Sequence, residues 1–208
     1  ARVFKHPAYI EQVKFHLNYW INKVPESPGG LKFINEWGSL RYSTATALEA
    51  LAFYHSFPLQ ENEIYRQLGA SQLNYAVGAN PLKRCYIVGT GNNSPEFPHH
   101  DAAHGSDTGF LDDPPVHKHV LYGALCGGPG IDDQHNDATD DYVQNEVSID
   151  YNAGVTGALA GMVALFGPDL KPEPDPTPEP PIEGIYVEAS IKRDNTTRTQ
   201  ITAYIHNH

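Results

Sequence analysis

The 208 residues predict a mainly α-helical chain that ends in a short β segment, with a proline-rich connector between the two. Three observations carry that expectation. Four stretches before residue 167 either repeat apolar residues at a spacing of three to four or run almost purely small and apolar, as helices do. Seven prolines fall between Gly167 and Pro181. Beyond them apolar and polar residues alternate with the two-residue period of a strand. The implied division is 1–166, a linker at 167–183 and a β part at 184–208.

Tyr9 to Asn22 places Tyr9, Ile10, Val13, Leu17, Trp20 and Ile21 on one helical face, and Pro25 ends the run. Pro25 to Gly38 is punctuated by Gly and Pro and reads as a loop. Ser39 to Phe57 is rich in Ala and Leu and predicts a second helix with Ser39 as its cap. A third helix is expected over Glu61 to Val77, and no strand alternation is convincing before residue 180. Asn152-Ala153-Gly154 reads as a tight turn feeding a fourth helix over Asn152 to Phe166, of which Val155 to Phe166 is expected to be buried. Gly167 to Pro181 then predicts a stiff extended linker of the polyproline kind. Ile185, Val187, Ala189 and Ile191 alternate with polar residues, as do Ile201, Ala203 and Ile205, and the RDNTT word between them turns an antiparallel pair. Two strands alone do not make a stable sandwich.

A net charge of −11 argues against nucleic acid or an anionic membrane as partner, while a neutral polymer stays compatible. No stretch reads as a membrane span, and Ala1 onward lacks a signal-peptide pattern and reads as a cut end. Cys85 and Cys126 have no CxxC partner, so the expectation is two buried free thiols, with a single disulfide as the alternative. His99, His100, His104, His117, His119 and His135 are crowded together. His100 and His104 form an i, i+4 metal pair only on a helix, which Pro98 and Gly105 argue against. No metal is therefore assigned and no cofactor is required. Oxygen donors at Asp112, Asp113, Asp132, Asp133, Asp137, Asp140 and Asp141 leave calcium open, and a solvated acidic loop explains them equally well.

Chemistry concentrates in Asn136 to Gly154, which holds five carboxylates and two tyrosines between a polar loop and an apolar helix. Glu146 stands where partial desolvation would suit a general acid. The alternative is a solvated first-turn pair of Glu146 with Asp150. Trp37 and Tyr42 are candidates to stack on the apolar faces of sugar rings, against the alternative of core packing, and Arg41 could orient a sugar chain or cap a loop.

In Asp137, Tyr142, Glu146, Asn152 and Ala153, spaced as they stand, the chain resembles the second signature of family 9 glycoside hydrolases, the inverting cellulases. The flanking words fit the same family: GGLKFINEWGSLRYST at Gly29, LNYAVGANPLKRCYIVGTG at Leu73, PHH at Pro98 and VLYGALCGGP at Val120. The resemblance implies the C-terminal part of an (α/α)6 barrel, with IYVEASIKRDNTTRTQITAYIHNH resembling the opening of a family 3 carbohydrate-binding module, a β-sandwich. It further implies a secreted endo-1,4-β-glucanase acting on β-glucan polysaccharide or cello-oligosaccharide. By this resemblance Glu146 is the acid, Asp137 supports His99 or Glu146, and His99 reaches the sugar at the cleavage point. Trp37, Arg41, Tyr42 and Tyr142 line the substrate groove.

Two departures stand out. Asp101 occupies the position where the family has an Arg that donates to the same sugar, and an anion there would weaken binding. The Asp-Ala-Gly-Asp word that brings the family's base is absent. The expectation is a chain that carries half a catalytic apparatus and is inactive or weakly active alone. The missing N-terminal half of the barrel becomes a candidate partner. The alternative is a non-catalytic carbohydrate-binding remnant.

Overall fold

A computed structural model describes residues 6–167, 177 and 185–207. The chain divides into two compact units, 1–172 and 173–208, and the division falls inside the proline-rich segment. The polyproline reading of Gly167 to Pro181 lies, beyond Gly167 and Thr177, outside the described residues.

The first unit is helical. Helix α1 spans Pro7–Asn22, beginning two residues before the sequence expectation because Pro7 suits the first helical position and the His6 ring accepts a hydrogen bond from the Ala8 amide. Helix α2 spans Ser39–Ser56. Its cap is not Ser39 but Gly38, whose φ of 67° is left-handed, and the Ser39 hydroxyl instead donates to the Pro129 carbonyl at 2.8 Å. A single 3-10 turn at Gln60–Asn62 leads into helix α3, Glu63–Ala76, slightly later than the spacing suggests. One helical turn, α4, spans Asp101–His104, and helix α5 spans Ile149–Phe166.

Two sequence expectations for α5 fail. Asn152-Ala153-Gly154 is not a turn, since the helix already starts at Ile149 with Asp150 in its first turn. Nor is the helix buried throughout. Tyr151, Gly154, Val155 and Ala158 face the core, whereas Leu159, Val163 and Phe166 are exposed. An apolar composition without clear periodicity does not distinguish a helix buried all round from one with an uncovered apolar face. By length and composition α5 could also cross a membrane, which the sequence reading denied. Its buried face, packed on α2, makes it a core helix of this unit.

The α2/α5 contact is close because glycine forms it. A Cβ on Gly154 would lie 2.8 Å from the Ala45 amide nitrogen, and one on Gly157 would lie 2.7 Å from Leu48. Around this contact sits the main core, where Leu31, Leu40, Leu51, Leu73, Tyr86 and Leu125 meet Tyr151 and Val155. A second core joins Leu17 and Trp20 of α1, and Val24 just beyond it, to Ala50 and Phe53 of α2 and to Tyr65 and Leu68 of α3. Its rim is tied by Trp20, which donates to His16 Nε2 at 3.0 Å, and by His16 Nδ1, which donates to Glu49 at 2.6 Å.

Among the described residues the first unit holds no named strand, but four extended pieces lie side by side through isolated bridges. Ile87 pairs with Leu125, Cys126 with Val147, and Glu146 with His99. Because Tyr86 pairs backbone to backbone with Cys126, Cys85 falls on the opposite face. The two thiols are buried and free in separate core clusters. The second unit is a hairpin of β1, Ile185–Asp194, antiparallel to β2, Thr199–Asn207. Val187 pairs with Ile205, Ala189 with Ala203 and Ile191 with Ile201, so the alternation read from the sequence becomes one apolar face. The Asn195 side chain accepts from the Thr197 and Arg198 amides and closes the turn.

Candidate active site

Glu146 lies at the C-terminal edge of the acidic loop, on one of the bridged strips, so its backbone is fixed before its side chain is considered. The His99 amide donates to the Asn145 carbonyl at 2.8 Å, which places His99 beside Glu146 in a parallel bridge. The carboxyl of Glu146 meets two donors on one oxygen. Trp37 Nε1 donates to Oε2 at 2.6 Å and the Tyr151 hydroxyl donates to the same oxygen at 2.9 Å. The first-turn pair of Glu146 with Asp150 does not form, because Glu146 precedes the helix and Asp150 bonds Ser148 and pairs with Arg41 at 3.6 Å.

Aromatic rings stand beside this carboxyl. Trp37 and Tyr142 are about half exposed, with ring centroids 5.2 Å apart, and the His99 ring meets the edge of Tyr142 at 6.2 Å. His99 Nδ1 contacts the Thr139 carbonyl at 2.6 Å. A carbonyl only accepts, so the proton sits on Nδ1 and Nε2 is left to meet a ligand. Exposed aromatic faces next to a hydrogen-bonding carboxyl are what a ring with apolar C–H faces and polar edges requires.

Arg41 lies 4.5 Å from the centre of the Tyr42 ring, to whose hydroxyl it donates, and 5.1 Å from that of Tyr151. Tyr42 is partly buried against the second core. Arg41 thus backs the Tyr151 ring and Tyr42 ties Arg41 to the second core, whereas Trp37 and Tyr142 are open. Burial and the hydrogen bond to Glu146 push the Tyr151 phenol well above its ordinary range, so it remains a donor at any working pH.

Asp137 contacts neither His99 nor Glu146 among its described partners. Its two oxygens accept from the Glu96 and Phe97 amides at 3.0 and 3.1 Å, and Arg84 lies 3.6 Å away. It fixes the segment that runs into Pro98 and His99. Asp101, in the single turn of α4, is exposed.

The histidines are placed individually. His100 and His104 do share a helical turn, against the sequence expectation, because His100 caps it and Gly105 closes it in the left-handed region. Yet His100 Nδ1 accepts from the Ala103 amide and His104 Nε2 donates to the Pro114 carbonyl, so both rings are committed. Among the described residues no three His, Cys, Asp or Glu side chains converge as metal ligands. The acidic loop is not uniformly solvated. Asp133 is 2% exposed and accepts from Ser27, from the Gly29 amide and from Tyr75, at 2.5, 2.6 and 2.5 Å.

The sequence profile of glycosyl hydrolase family 9 matches residues 4–159. The chain belongs to this family. This family 9 chain is 41% identical over its whole length to endoglucanase A of Bacillus pumilus, of which it covers 33%, and 41% identical over 96% of its length to endoglucanase B of Cellulomonas fimi, of which it covers 20%. Among solved structures it resembles endoglucanase CelQ from Clostridium thermocellum, complexed with cellobiose and cellotriose, at a TM-score of 0.81 and 40% identity. That match covers 100% of this chain and 36% of CelQ. Endoglucanase from the termite Nasutitermes takasagoensis matches 79% of the chain at a TM-score of 0.71 and 36% identity, over 39% of its own chain. The family 9 chain therefore spans about a third of the curated relatives first matched.

Two features of the site, and the role of a third residue already named in the signature, escaped sequence reasoning. Tyr151, five residues after Glu146, was hidden in a stretch read as a loop and turn. Gly38 read as loop punctuation, although its missing side chain makes room for the Tyr151 hydroxyl, which a Cβ there would approach to 2.5 Å. Asn152 holds the neighbouring strip by donating to the Gly123 carbonyl and accepting from the Leu125 amide, at 2.8 and 3.0 Å. A tyrosine five residues past the glutamate, in the first turn of the following helix, is the signal that could have led to the first.

Proposed function

We propose that this chain forms the acid-bearing part of an inverting β-1,4-glucan hydrolase whose substrate class is cellulose, a soluble β-glucan or a cello-oligosaccharide. The observation that carries it is the Glu146 carboxyl held by Trp37 and Tyr151 beside the open rings of Trp37 and Tyr142. The solved CelQ structures contain cellobiose, cellotriose or cellotetraose, which supports the same ligand class here.

In the proposed reaction Glu146 gives its proton to the glycosidic oxygen as the bond from that oxygen to C1 breaks. A water attacks C1 from the opposite face and passes a proton to a second carboxylate acting as base. His99 Nε2 hydrogen-bonds the sugar at the cleavage point, and Asp137 holds the segment leading to His99. Tyr142 and Trp37 bear the rings, while Arg41 and Tyr42 brace the inner wall. The base belongs roughly 6.5–9.5 Å from Glu146, and no Asp-Ala-Gly-Asp word in this sequence supplies it. The rest of an (α/α)6 barrel is its proposed source, as a partner or as part of the same polypeptide. The hairpin is read as the first strands of a carbohydrate-binding β-sandwich. A polymeric substrate is the reason for proposing a secreted, extracellular protein. The chemistry requires no cofactor, and calcium is left as a structural ion to be tested.

The test is reducing-sugar release from carboxymethylcellulose by the purified 208-residue chain, with and without calcium. The expected result is no release alone and release on adding the N-terminal part of a family 9 catalytic domain. Release by the chain alone would place the base among its own carboxylates. Binding of cellotetraose with no turnover in any combination would favour a non-catalytic carbohydrate-binding protein.

A further inference from the structure

Resting on the assignment of Glu146 as the acid, we propose that Trp37 and Tyr151 form a two-donor clamp that saturates Oε2 of Glu146 and confines the transferable proton to Oε1. Both donors reach the same oxygen, at 2.6 and 2.9 Å. A carboxyl oxygen has two acceptor lone pairs. With an indole N–H on one and a phenol O–H on the other, Oε2 has no place for a proton of its own. The indole nitrogen only donates. The Tyr151 ring, 1% exposed and backed by Arg41, is held so that its hydroxyl meets Oε2 and donates to it in the observed arrangement.

The consequence is a proton cycle without rearrangement. When the Oε1–H bond breaks and the proton passes to the glycosidic oxygen, Oε2 keeps both donors. When Oε1 takes a proton back from solvent, it keeps them again. The clamp is built into the fold at Gly38, which follows Trp37 in sequence and leaves the space above which the Tyr151 hydroxyl lies. Trp37 and Tyr151 are positioning residues for the acid, and Trp37 combines this with its exposed ring face. The groove wall and the proton donor thereby share one side chain.

The chain contains two tryptophans, so its indole N–H region in a proton–nitrogen correlation spectrum holds two signals. Trp20, bonded to His16, is the internal control. The clamp predicts that the Trp37 signal in Glu146→Gln moves only part of the way to the free-indole position, since the amide oxygen can take the place of Oε2 with the NH2 group where the proton would be. In Glu146→Leu it moves the whole way. In Tyr151→Phe it moves further downfield, because the remaining donor takes a larger share of the same oxygen. An unmoved Trp37 signal in Tyr151→Phe would overturn the proposal, as would equal signals in Glu146→Gln and Glu146→Leu. These readings need no sugar and no turnover. A chain that shows the clamp but gives no spectral change with cellotetraose would contradict the proposed function alone. In an active assembly, Tyr151→Phe should slow glucosides with poor leaving groups at least tenfold more than those with good ones, whereas a purely structural loss would slow both alike.

Discussion

Gly38 carries two constraints that no other residue type meets together. Its φ of 67° penalises any side chain by roughly 1–2 kcal/mol, and its missing Cβ leaves room for the Tyr151 hydroxyl. Gly38→Ala is therefore expected to destabilise the chain by about 2 kcal/mol or more, read as a lower urea midpoint at unchanged slope. Trp37→Ala should weaken cellotetraose binding about tenfold, the scale of one aromatic contact, with no comparable change in melting temperature, since its ring is half exposed. Equal affinity by titration calorimetry would remove Trp37 from the groove. In an active assembly, Glu146→Gln should lower turnover of poor leaving groups by ~10²–10⁴ while binding is kept. The placing of Glu146 was legible in the sequence because a polar loop gave way to an apolar helix at that point. The donors to its carboxyl were not, because hydrogen-bond partners 109 residues apart in the chain, like Trp37 and Glu146, leave no periodic trace.

Helices were the most legible elements, and their ends the least. The 3–4 spacing in α1, α2 and α3 reports a face, but the cap depends on backbone geometry. Ser39, a good capping residue by type, is fully buried with its hydroxyl on the Pro129 and Gly127 carbonyls, and so is not available to cap α2. In α5 the glycines set the fit to α2. Gly154→Ala would press a methyl to 2.8 Å from the Ala45 nitrogen, and backbone cannot step aside as a flexible side chain can. A loss of about 1–3 kcal/mol is expected by chemical denaturation. The opposite face, with Leu159 and Val163 exposed, carries no charge beyond Asp150. Leu159→Glu with Val163→Glu should shift stability by less than about 1 kcal/mol while reducing the binding of a hydrophobic dye such as ANS. A large loss of stability would mean that this face is already packed.

Across the whole molecule, stability is tied to pH through buried imidazoles. Burial first, and the Arg84 guanidinium second, hold His135 down to about 4. An unfolded chain binds the proton near the ordinary value of about 6.5, so between these values the unfolded state holds more protons. The stabilisation is complete above about pH 6.5 and is lost as pH falls toward 4. His117, lowered by burial and by its neighbour His104, adds in the same direction. Melting temperature should fall across this window, and His135→Gln, whose amide oxygen can still accept from Arg84, should flatten the fall. A parallel curve for the variant would assign the acid sensitivity to carboxylates. The sequence had offered these histidines as metal candidates; only the fold reveals that Arg84 Nη1 occupies His135 Nδ1 at 2.7 Å. Finally, the main-chain bridge between His99 and Glu146 separates what must be constant from what is free to vary. Imidazole and carboxyl are set side by side by peptide groups, and 129–142 is bound into the same unit through Asp133, Asp137 and Thr139, whereas 105–120 leaves and returns between the bridged strips with an exposed tip at 107–113. Insertions or grafted sequences at that tip can reshape the surroundings of the pair without resetting its spacing.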